Sequence, residues 1–518
     1  MIQLSAFDYA AIALYFLATL AIAVWAARGR TTSEDLFLAG RTLGPVAVGF
    51  SMFAANVSTD TMIGLPGAAY RSGISAANYE WMAGVVLMFT VFFVLPMLMR
   101  ARVSTMPELM ERRFSPALRK YLSAVTLFLS IVLDTAGTIY GGALIITTFV
   151  PSLGLAETAF AIAVFTGLYT AAGGLRAVVY TDLMQAFVLL GGSAALAWIV
   201  FGKFDHSWSA VVASVSPERL SLIRPLDDEG VPWLGLLTGL PIVGFYYWTM
   251  NQYVVQRVLG ARDIGAASRA SVIAALLKLL PLFLMTLPGV MAITLLPGLE
   301  HPDQVFPAMV THFAPGGLSG LILAGLIAAL MSTCSATLNS AATLVTLDFV
   351  QPHRPGMTQG QLVWTGRIAT LVITLIAALW APMIQHFQGL WSYLQQVFAF
   401  VASPLVAIFL MGLWLRGLGA RAALRGLICG HVFSALLFLA REANLVTLHF
   451  TIIAGVVFAA TAVLTFGWML ALGAADRPDD AHTAVIRRGD DLPALPRDAR
   501  IAAIAVLAIT AIIVYSFR

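Results

Sequence analysis

Two ionisable side chains lie where an apolar helix would normally avoid them. Lys278 is one of only three lysines in 518 residues and falls within the run AALLKLLPLF (274–283), and Glu80 falls in NYEWM at the start of another apolar run. An ammonium so deep in an apolar segment must face a pocket, water or an anion. The two groups could form a structural salt bridge, or they could act together as hydrogen-bond donor and acceptor towards a bound solute.

Polar residues also interrupt two other apolar runs. These are FAANVSTDTMIG at 53–64 and IVGFYYWTMNQY at 242–253. Each pattern predicts a broken membrane helix, whose exposed carbonyls and helix ends are tolerated only where they line a cavity. The alternative is that Ser, Thr and Asn merely pack inside kinked helices.

The composition defines the surroundings of these residues. Hydrophobic residues make up 59%, charged residues 11%, and the mean hydropathy is +0.87, which indicates a polytopic membrane protein. About fourteen continuous apolar runs are long enough to cross a hydrocarbon core of about 30 Å as helices, whereas a barrel would need short alternating strands. The predicted spans are 5–27, 45–70, 77–99, 120–150, 155–172, 178–201, 233–256, 270–297, 317–345, 362–385, 389–415, 422–441, 446–473 and 498–517.

The charges predict the orientation in the membrane. No basic residue precedes Asp8 in the first run, while Arg28 and Arg30 follow it, which favours a retained helix with an external N-terminus over a signal peptide. With that start, 23 of the 30 Lys and Arg residues, Arg257 among them, fall on the cytoplasmic side, six fall outside and Lys278 lies within a span. We therefore expect both termini outside. This asymmetry explains the net charge of +4 without a nucleic-acid partner.

The two interrupted runs also suggest how the chain is organised. Each opens a group of five spans, and an odd number inverts the second group relative to the first, as in inverted-repeat transporters. The predicted fold is thus an all-α polytopic membrane protein with a five-plus-five, LeuT-like core. The predicted segments are an extra helix with its loop (1–44), the first repeat (45–201), an external loop (202–232), the second repeat (233–416), two C-terminal helices (417–473), a cytoplasmic linker (474–497) and a last helix (498–518).

The sequence argues against other classes of protein. The loops carry no catalytic motif, and nothing around Glu80 and Lys278 supplies a nucleophile, metal or cofactor, so we expect no enzyme. Cys334 and Cys429 lie in separate predicted helices, and the eight histidines are scattered. A sensor on a transporter scaffold would need a signalling domain, which we do not expect because the sequence ends at Arg518 directly after a helix.

Seven motifs in order resemble the solute:sodium symporter family, and its sodium/glucose cotransporter branch most. They are EDLFLAGR (34–41), AANVSTDTMIG (54–64), YEWM (79–82), TMPELMERRF (105–114), GGLRAVVYTDLMQ (173–185), YYWTMNQYVVQR (246–257) and LNSAATLVTLDF (338–349). The resemblance implies a secondary active symporter that imports a hexose-like monosaccharide with sodium by alternating access. Arginine-rich, lysine-poor usage is typical of prokaryotes, so we expect a bacterial inner membrane. The sequence leaves the oligomeric state open.

The resemblance also implies a sodium site. Carbonyls of Ala54, Val57 and Ala329 and hydroxyls of Ser332 and Thr333 would be its ligands. Neutral oxygens can surround sodium without a fixed anion; the alternative for the polar residues is helix packing. Asp182 would lie close by. A second sodium site using Asp182 and Ser335 is doubtful, because Ala336 follows where a further serine would be needed.

For the solute, the resemblance implies a pocket of polar contacts closed by aromatic gates. The implied contacts are Asn56, Thr61, Glu80, Lys278, Gln395 and Tyr247, and the implied gate residues are Tyr79, Tyr247, Trp248 and Trp391. Thr61, Ala83 and Gly244 replace larger or more polar residues of sugar-transporting members, so the sugar is left open. Alternatives are another polyol, sialic acid, a carboxylate or an amino acid, although Glu80 would repel an anion. Asp60 is expected to cap the helix that restarts after the first break.

Overall fold

The computed structural model describes residues 6–27, 32–149, 152–315, 317–387, 389–479 and 493–518. Within these ranges the chain is helical, and two isolated bridges join Leu43 to Ala261 and Arg224 to Pro232. The predicted all-α class is confirmed. Arg28, Arg30 and most of the predicted linker 474–497 lie outside the described residues.

The helices of the first half surround the first break. They are α1 (Ala6–Ala27), α2 (Ser33–Leu38), α3 (Pro45–Asn56), α4 (Thr59–Ser72), α5 (Asn78–Phe93), α6 (Leu95–Ala101), α7 (Met106–Arg113), α8 (Pro116–Leu129), α9 (Ala136–Phe149), α10 (Leu155–Gly202) and α11 (Trp208–Ser214). A π-helical segment, Ser130–Thr135, joins α8 to α9. Short 3₁₀ turns occupy Ala39–Arg41, Ile74–Ala77 and Pro217–Leu220.

The helices of the second half include the second break. They are α12 (Trp233–Phe245), α13 (Gln252–Leu259), α14 (Ile264–Leu277), α15 (Leu287–Leu295), α16 (Val305–Phe313), α17 (Leu318–Thr343), α18 (Gln351–His353), α19 (Gln359–Trp380), α20 (Leu390–Trp414), α21 (Ala420–Glu442), α22 (Phe450–Leu472) and α23 (Arg497–Ser516). Three π-helical segments lie at Tyr246–Met250, Leu282–Thr286 and Leu344–Val350. Further 3₁₀ turns lie at Pro302–Gln304, Ala381–His386 and Gly473–Asp476.

Ten helical segments within the described residues are long and apolar enough to cross a membrane. They are Ile74–Phe93, Pro116–Thr148, Leu175–Gly202, Ile264–Leu295, Leu318–His353, Gln359–His386, Leu390–Trp414, Ala420–Glu442, Phe450–Asp476 and Arg497–Ser516. Ten of the predicted spans coincide with them. The other four, at 5–27, 45–70, 155–172 and 233–256, also fall on helices but are not among these ten segments, so the number fourteen stays a prediction.

Helix α10 covers two predicted spans as one continuous helix of 48 residues. Gly142 of α9 lies against Leu330 of α17 and near Ile162, whereas Gly192 lies against Ile322 of α17. Along a straight helix residues 162 and 192 would be about 45 Å apart, yet residues 330 and 322 are separated by only about 12 Å. Helix α10 is therefore bent between these positions, which lie in the two different predicted spans.

The surface of the bundle is apolar, and its interior is unusually polar. Leu17 on α1, Leu379 on α19 and Leu470 on α22 are each at least 65% exposed, while Asp182 and Ser332 are completely buried. A soluble protein would distribute these side chains the other way. The outer surface is thus suited to lipid, and polar chemistry is confined to the centre.

Both predicted breaks are present. Helix α3 ends at Asn56, Val57 leaves helical geometry, and Ser58 caps α4 by accepting the amide of Asp60 at 3.1 Å. In the second break the π segment Tyr246–Met250 is followed by extended Asn251, which caps α13. Ser and Asn favour such caps because their side chains bond nearby amides. The expectation that Asp60 caps α4 was wrong, because the hydroxyl of Ser58 already occupies that position.

A third interruption, absent from our predictions, lies in the span of Lys278. Helix α14 ends at Leu277, and Lys278 bonds its amide to Ala274 O at 3.0 Å as the C-terminal cap. Pro281, three residues on, lacks the amide that would continue the ladder. The partial negative charge of a helix C-terminus favours a cation, which helps to hold the ammonium of Lys278 there.

Candidate functional site

The broken first helix places free carbonyls next to α17. The carbonyl of Phe53 accepts the Val57 amide at 2.8 Å, that of Ala55 accepts the Thr333 hydroxyl at 3.0 Å, and that of Asn56 accepts the Thr61 hydroxyl at 2.9 Å. None of these donors reaches the carbonyls of Ala54 or Val57, the two predicted sodium ligands. The break thus leaves two oxygens able to bind a hard cation.

Helix α17 brings the other predicted sodium ligands to the same place. Ala329, Ser332 and Thr333 are buried on it, and the bond from Thr333 to Ala55 ties this stretch directly to the break. A hydroxyl that donates one hydrogen bond keeps lone pairs for a cation. The five predicted oxygens therefore come from two elements in contact, which is chemically compatible with sodium.

Asp182 on α10 lies beside the predicted sodium ligands, and both of its carboxylate oxygens have partners. Its carboxylate accepts the hydroxyls of Ser332 and Ser51, and it pairs with Arg257 of α13 at 2.8 Å. Arg257 is fully buried and also bonds Ser51 at 2.6 Å. We counted Arg257 among cytoplasmic loop residues; the structure instead buries it as the counter-ion of Asp182.

Ser335, the other member of the predicted second sodium site, is turned towards its own helix. Its hydroxyl donates to the carbonyl of Ser332 at 3.0 Å. The ion pair of Asp182 with Arg257 already neutralises the carboxylate that a second sodium would need.

Lys278 is the centre of a buried polar cluster. Its ammonium contacts the carboxylate of Glu80 on α5 and the side-chain oxygen of Asn56 on α3, and it lies 5.7 Å from the centre of the Trp248 ring. The side chains of Lys278 and Glu80 are only 1% and 5% exposed.

The helices that carry this cluster approach each other closely. Contact between helices α3 and α14 requires Gly49, since a β-carbon there would meet the carbonyl of Ala270 at 2.8 Å.

A cavity of about 80 Å³ opens beside this cluster. Every predicted solute contact lines it: Asn56, Thr61, Glu80, Lys278, Gln395 and Tyr247. So do the predicted gate residues Tyr79, Trp248 and Trp391, together with Thr333 from the sodium region. Ligand sites usually measure about 300 Å³ or more, so the cavity is contracted in this conformation.

Two aromatic residues separate this cavity from a wider vestibule of about 350 Å³. Tyr79 and Trp391 line both spaces and contact each other edge to face, with ring centres 5.5 Å apart. The Tyr79 hydroxyl and the Trp391 indole nitrogen are buried without a hydrogen-bond partner among the described residues. A bound solute could satisfy these two polar atoms.

Asp303 fixes the helix that carries Trp391. Its carboxylate accepts the amide of Leu390, the first residue of α20, at 3.2 Å, and His301 lies 3.7 Å away. Burial raises the pKa of Asp303, and the neighbouring His301 partly offsets this. The start of α20, and with it the indole of Trp391, is therefore anchored from the loop that precedes α16.

On the far side of the cavity Tyr247 is held by other aromatic side chains. Its hydroxyl contacts that of Tyr253, and its ring meets Phe398 edge to face at 6.0 Å. Trp248 packs beside it at 5.3 Å. Tyr253 was not among our candidates, although its position in YYWTMNQY, seven residues after Tyr246, could have suggested it.

The sequence identifies the family to which these features belong. Residues 36–430 match the model of the "Sodium:solute symporter family". The chain belongs to this family. It is a sodium-coupled solute symporter, and sodium is its coupling ion.

Similar proteins narrow the branch. The chain is 34% identical over 462 residues to sodium/myo-inositol cotransporter 2 of Mus musculus, covering 82% of this chain and 68% of the other. It is 32% identical over 468 residues to the sodium/glucose cotransporter of Vibrio parahaemolyticus, covering 84% and 85%. It is 31% identical over 476 residues to solute carrier family 5 member 4B of Mus musculus, covering 83% and 71%. The predicted relationship to the sodium/glucose cotransporter branch is confirmed.

A solved structure confirms the fold. A sodium-coupled sialic acid symporter in a substrate-bound outward-open state matches with a TM-score of 0.80 and 21% identity, covering 91% of this chain and 99% of that one. At this identity the match establishes the architecture, which is that of a LeuT-like symporter, and carries no information about the solute.

Proposed function

We propose that this symporter imports a hexose-like sugar together with sodium. The supporting observation is the contact of Lys278 with Glu80 and Asn56 at the wall of the cavity. Together these groups supply an ammonium donor, a carboxylate acceptor and an amide, and each hydroxyl of a sugar both donates and accepts. Gln395 and Thr61 add polar contacts at the same wall.

In this proposal, bound solute replaces the direct contact between Lys278 and Glu80. The two groups satisfy each other in the contracted cavity, and sugar hydroxyls insert between them as the cavity widens. The exchange replaces one charged hydrogen bond by several charge-assisted ones, so the desolvated groups keep partners throughout.

Sodium would bind at the first break. The carbonyls of Ala54, Val57 and Ala329 and the hydroxyls of Ser332 and Thr333 are the proposed ligands, with Asp182 beyond them. Because Thr333 lines the cavity and also contacts the break, bound sodium would fix α3 and thereby Asn56. This is a direct route by which the ion raises affinity for solute.

Access to the cavity would alternate between two aromatic gates. Tyr79 and Trp391 would close the side of the vestibule, and Tyr247 with Trp248 would close the other. The vestibule is also lined by Leu226 and Asp228 of the 202–232 loop, which we predict to be external. With that orientation the vestibule opens to the outside, and we propose import from outside. External termini and a bacterial inner membrane are further parts of this proposal.

A cyclic polyol such as an inositol is the second candidate. It is favoured by the 34% identity to a sodium/myo-inositol cotransporter, and its hydroxyls present the same donors and acceptors. An anionic solute such as sialic acid is disfavoured because three carboxylate residues, Asp60, Glu80 and Asp134, line the cavity.

Uptake by the purified protein in proteoliposomes tests the proposal. The solutes are labelled glucose, galactose, mannose, fucose and myo-inositol, with proline and sialic acid as controls, each under an inward sodium gradient or with potassium in its place. We expect sodium-dependent accumulation of a sugar, lost in a folded Lys278→Ala variant. Accumulation of proline or sialic acid alone, or unchanged sugar uptake by the variant, would refute the assignment.

A further inference from the structure

The cavity has a second set of polar groups that the proposed sugar contacts do not use. Asp60, in the first turn of α4, and Asp134, in the π segment Ser130–Thr135, both line it and are 7% and 5% exposed. One oxygen of Asp60, Oδ1, is buried with no hydrogen-bond partner among the described residues. A buried carboxylate that lines a cavity and has an oxygen without a donor is stabilised by a proton or by a ligand.

The neighbouring donors are too few for these two carboxylates. Thr138 lies 3.1 Å from Asp60 Oδ2 and 2.7 Å from the carbonyl oxygen of Asp134, but its hydroxyl has a single proton to donate. Asn251 approaches Asp134 Oδ2 at 3.4 Å, which is a long contact. Ser58 is a further donor to the Asp60 carboxylate, so the four carboxylate oxygens share three donors, and Asp60 Oδ1 is without a partner among the described residues.

Among the described residues that line the cavity, no cation is free to balance the two carboxylates. Of the described residues lining the cavity, only Lys278 is a Lys, Arg or His, and its ammonium already contacts Glu80. Arg257 is also buried and lies on α13 directly after the second break, but it is paired with Asp182. A buried negative charge is stable only with a positive partner or a proton.

We propose that the preferred solute of this cavity is an amino sugar, whose protonated amine binds between Asp60 and Asp134. Its hydroxyls then contact Lys278, Glu80 and Gln395, so the proposal rests on the sugar-transport function given above. An ammonium has three protons to donate, which suits the unpaired Asp60 Oδ1 and the weakly bonded Asp134. Positive charge on the solute also compensates for the excess of carboxylates in the cavity.

Competition between three solutes tests the proposal on the intact protein in proteoliposomes. D-Glucosamine carries the amine, D-glucose replaces it with a hydroxyl, and N-acetyl-D-glucosamine removes its charge. Half-saturation concentrations are compared for the wild type, for Asp60→Asn, for Asp134→Asn and for the double variant. Asp205→Asn, which removes an exposed carboxylate in the loop after α10, is the charge control. Heat stability with each solute is measured in detergent as well, so that a variant too slow to transport is still tested for binding.

We expect the wild type and Asp205→Asn to prefer glucosamine to glucose by at least tenfold, and N-acetylglucosamine to lose that preference. In the double variant the half-saturation concentrations for glucose and glucosamine should become nearly equal. Equal ratios in the wild type and the double variant would overturn the proposal and indicate that the two carboxyls simply carry protons. Uptake of glucose without preference for glucosamine would overturn it while leaving the sugar function intact. Failure of glucose and glucosamine, together with failure of galactose, mannose and fucose in the uptake assay, would refute the sugar function itself.

Discussion

Lys278, the C-terminal cap of α14, holds its ammonium directly against the carboxylate of Glu80 on α5, with both side chains buried. The same ammonium contacts Asn56 at the end of α3, so one cation joins three helices around the cavity. These helices belong to the two predicted repeats, which must move relative to each other in alternating access. The contact is therefore suited both to binding solute and to holding one conformation.

A pair of matched variants separates these two roles. Lys278→Met leaves Glu80 buried and unpaired, and we expect it to cost about 3–5 kcal/mol of stability and to abolish uptake. Adding Glu80→Gln removes the unpaired charge, so most of the stability should return while uptake stays absent. Thermal unfolding followed by tryptophan fluorescence, together with sodium-dependent uptake, measures both. Recovery of uptake in the double variant would mean that the pair is architectural.

Hydroxyls on α17 should determine sodium affinity. Thr333→Ala and Ser332→Ala each remove one proposed ligand, and we expect the sodium concentration for half-maximal uptake to rise about tenfold or more. Thr333→Ser, which keeps the hydroxyl, should stay near the wild-type value. Ser340→Ala is the control, because its hydroxyl is buried on the same helix and has no hydrogen-bond partner in the described part of the chain. An equal effect of Ser340→Ala would point to packing rather than to sodium.

The sequence predicted the site best where polar or charged residues interrupt an apolar run. Polar residues within apolar runs located both broken helices, and a lysine within AALLKLLPLF located the wall of the cavity. It was less informative where the outcome depends on a distant partner. We predicted Arg257 to be a cytoplasmic loop residue, because its ion-pair partner Asp182 lies 75 residues earlier in the sequence. Ser58 rather than Asp60 became the cap because both residues suit that position and only the local geometry decides between them.

The pairing of Asp182 with Arg257 leads us to expect a single sodium ion per solute. A second ion would need the negative charge that Arg257 already neutralises at 2.8 Å, and Ser335 is bonded to its own helix. Parallel measurement of labelled sodium and solute fluxes in the same proteoliposomes gives the ratio.

Arg257→Met extends this test by releasing the carboxylate. The variant should lose stability, because Asp182 is left buried without a counter-ion. High sodium should restore more stability to Arg257→Met than it adds to the wild type, since the ion can then neutralise Asp182. Two sodium ions per solute in the wild type, or no extra response of the variant to sodium, would contradict the interpretation.

Trp391 should control access from the vestibule. Its ring closes the cavity against Tyr79, so Trp391→Ala should weaken apparent solute affinity about tenfold, or ~1.4 kcal/mol, by removing the cover and its indole donor. Sodium affinity should change much less, because Trp391 lies between the cavity and the vestibule and is not itself a proposed sodium ligand. Trp364→Ala, which removes an indole that is 63% exposed on α19, is the control. Half-saturation for solute and for sodium is measured in each variant. A parallel loss of both affinities in Trp391→Ala would indicate a disturbed fold, and no loss of solute affinity would show that the vestibule is closed by other residues.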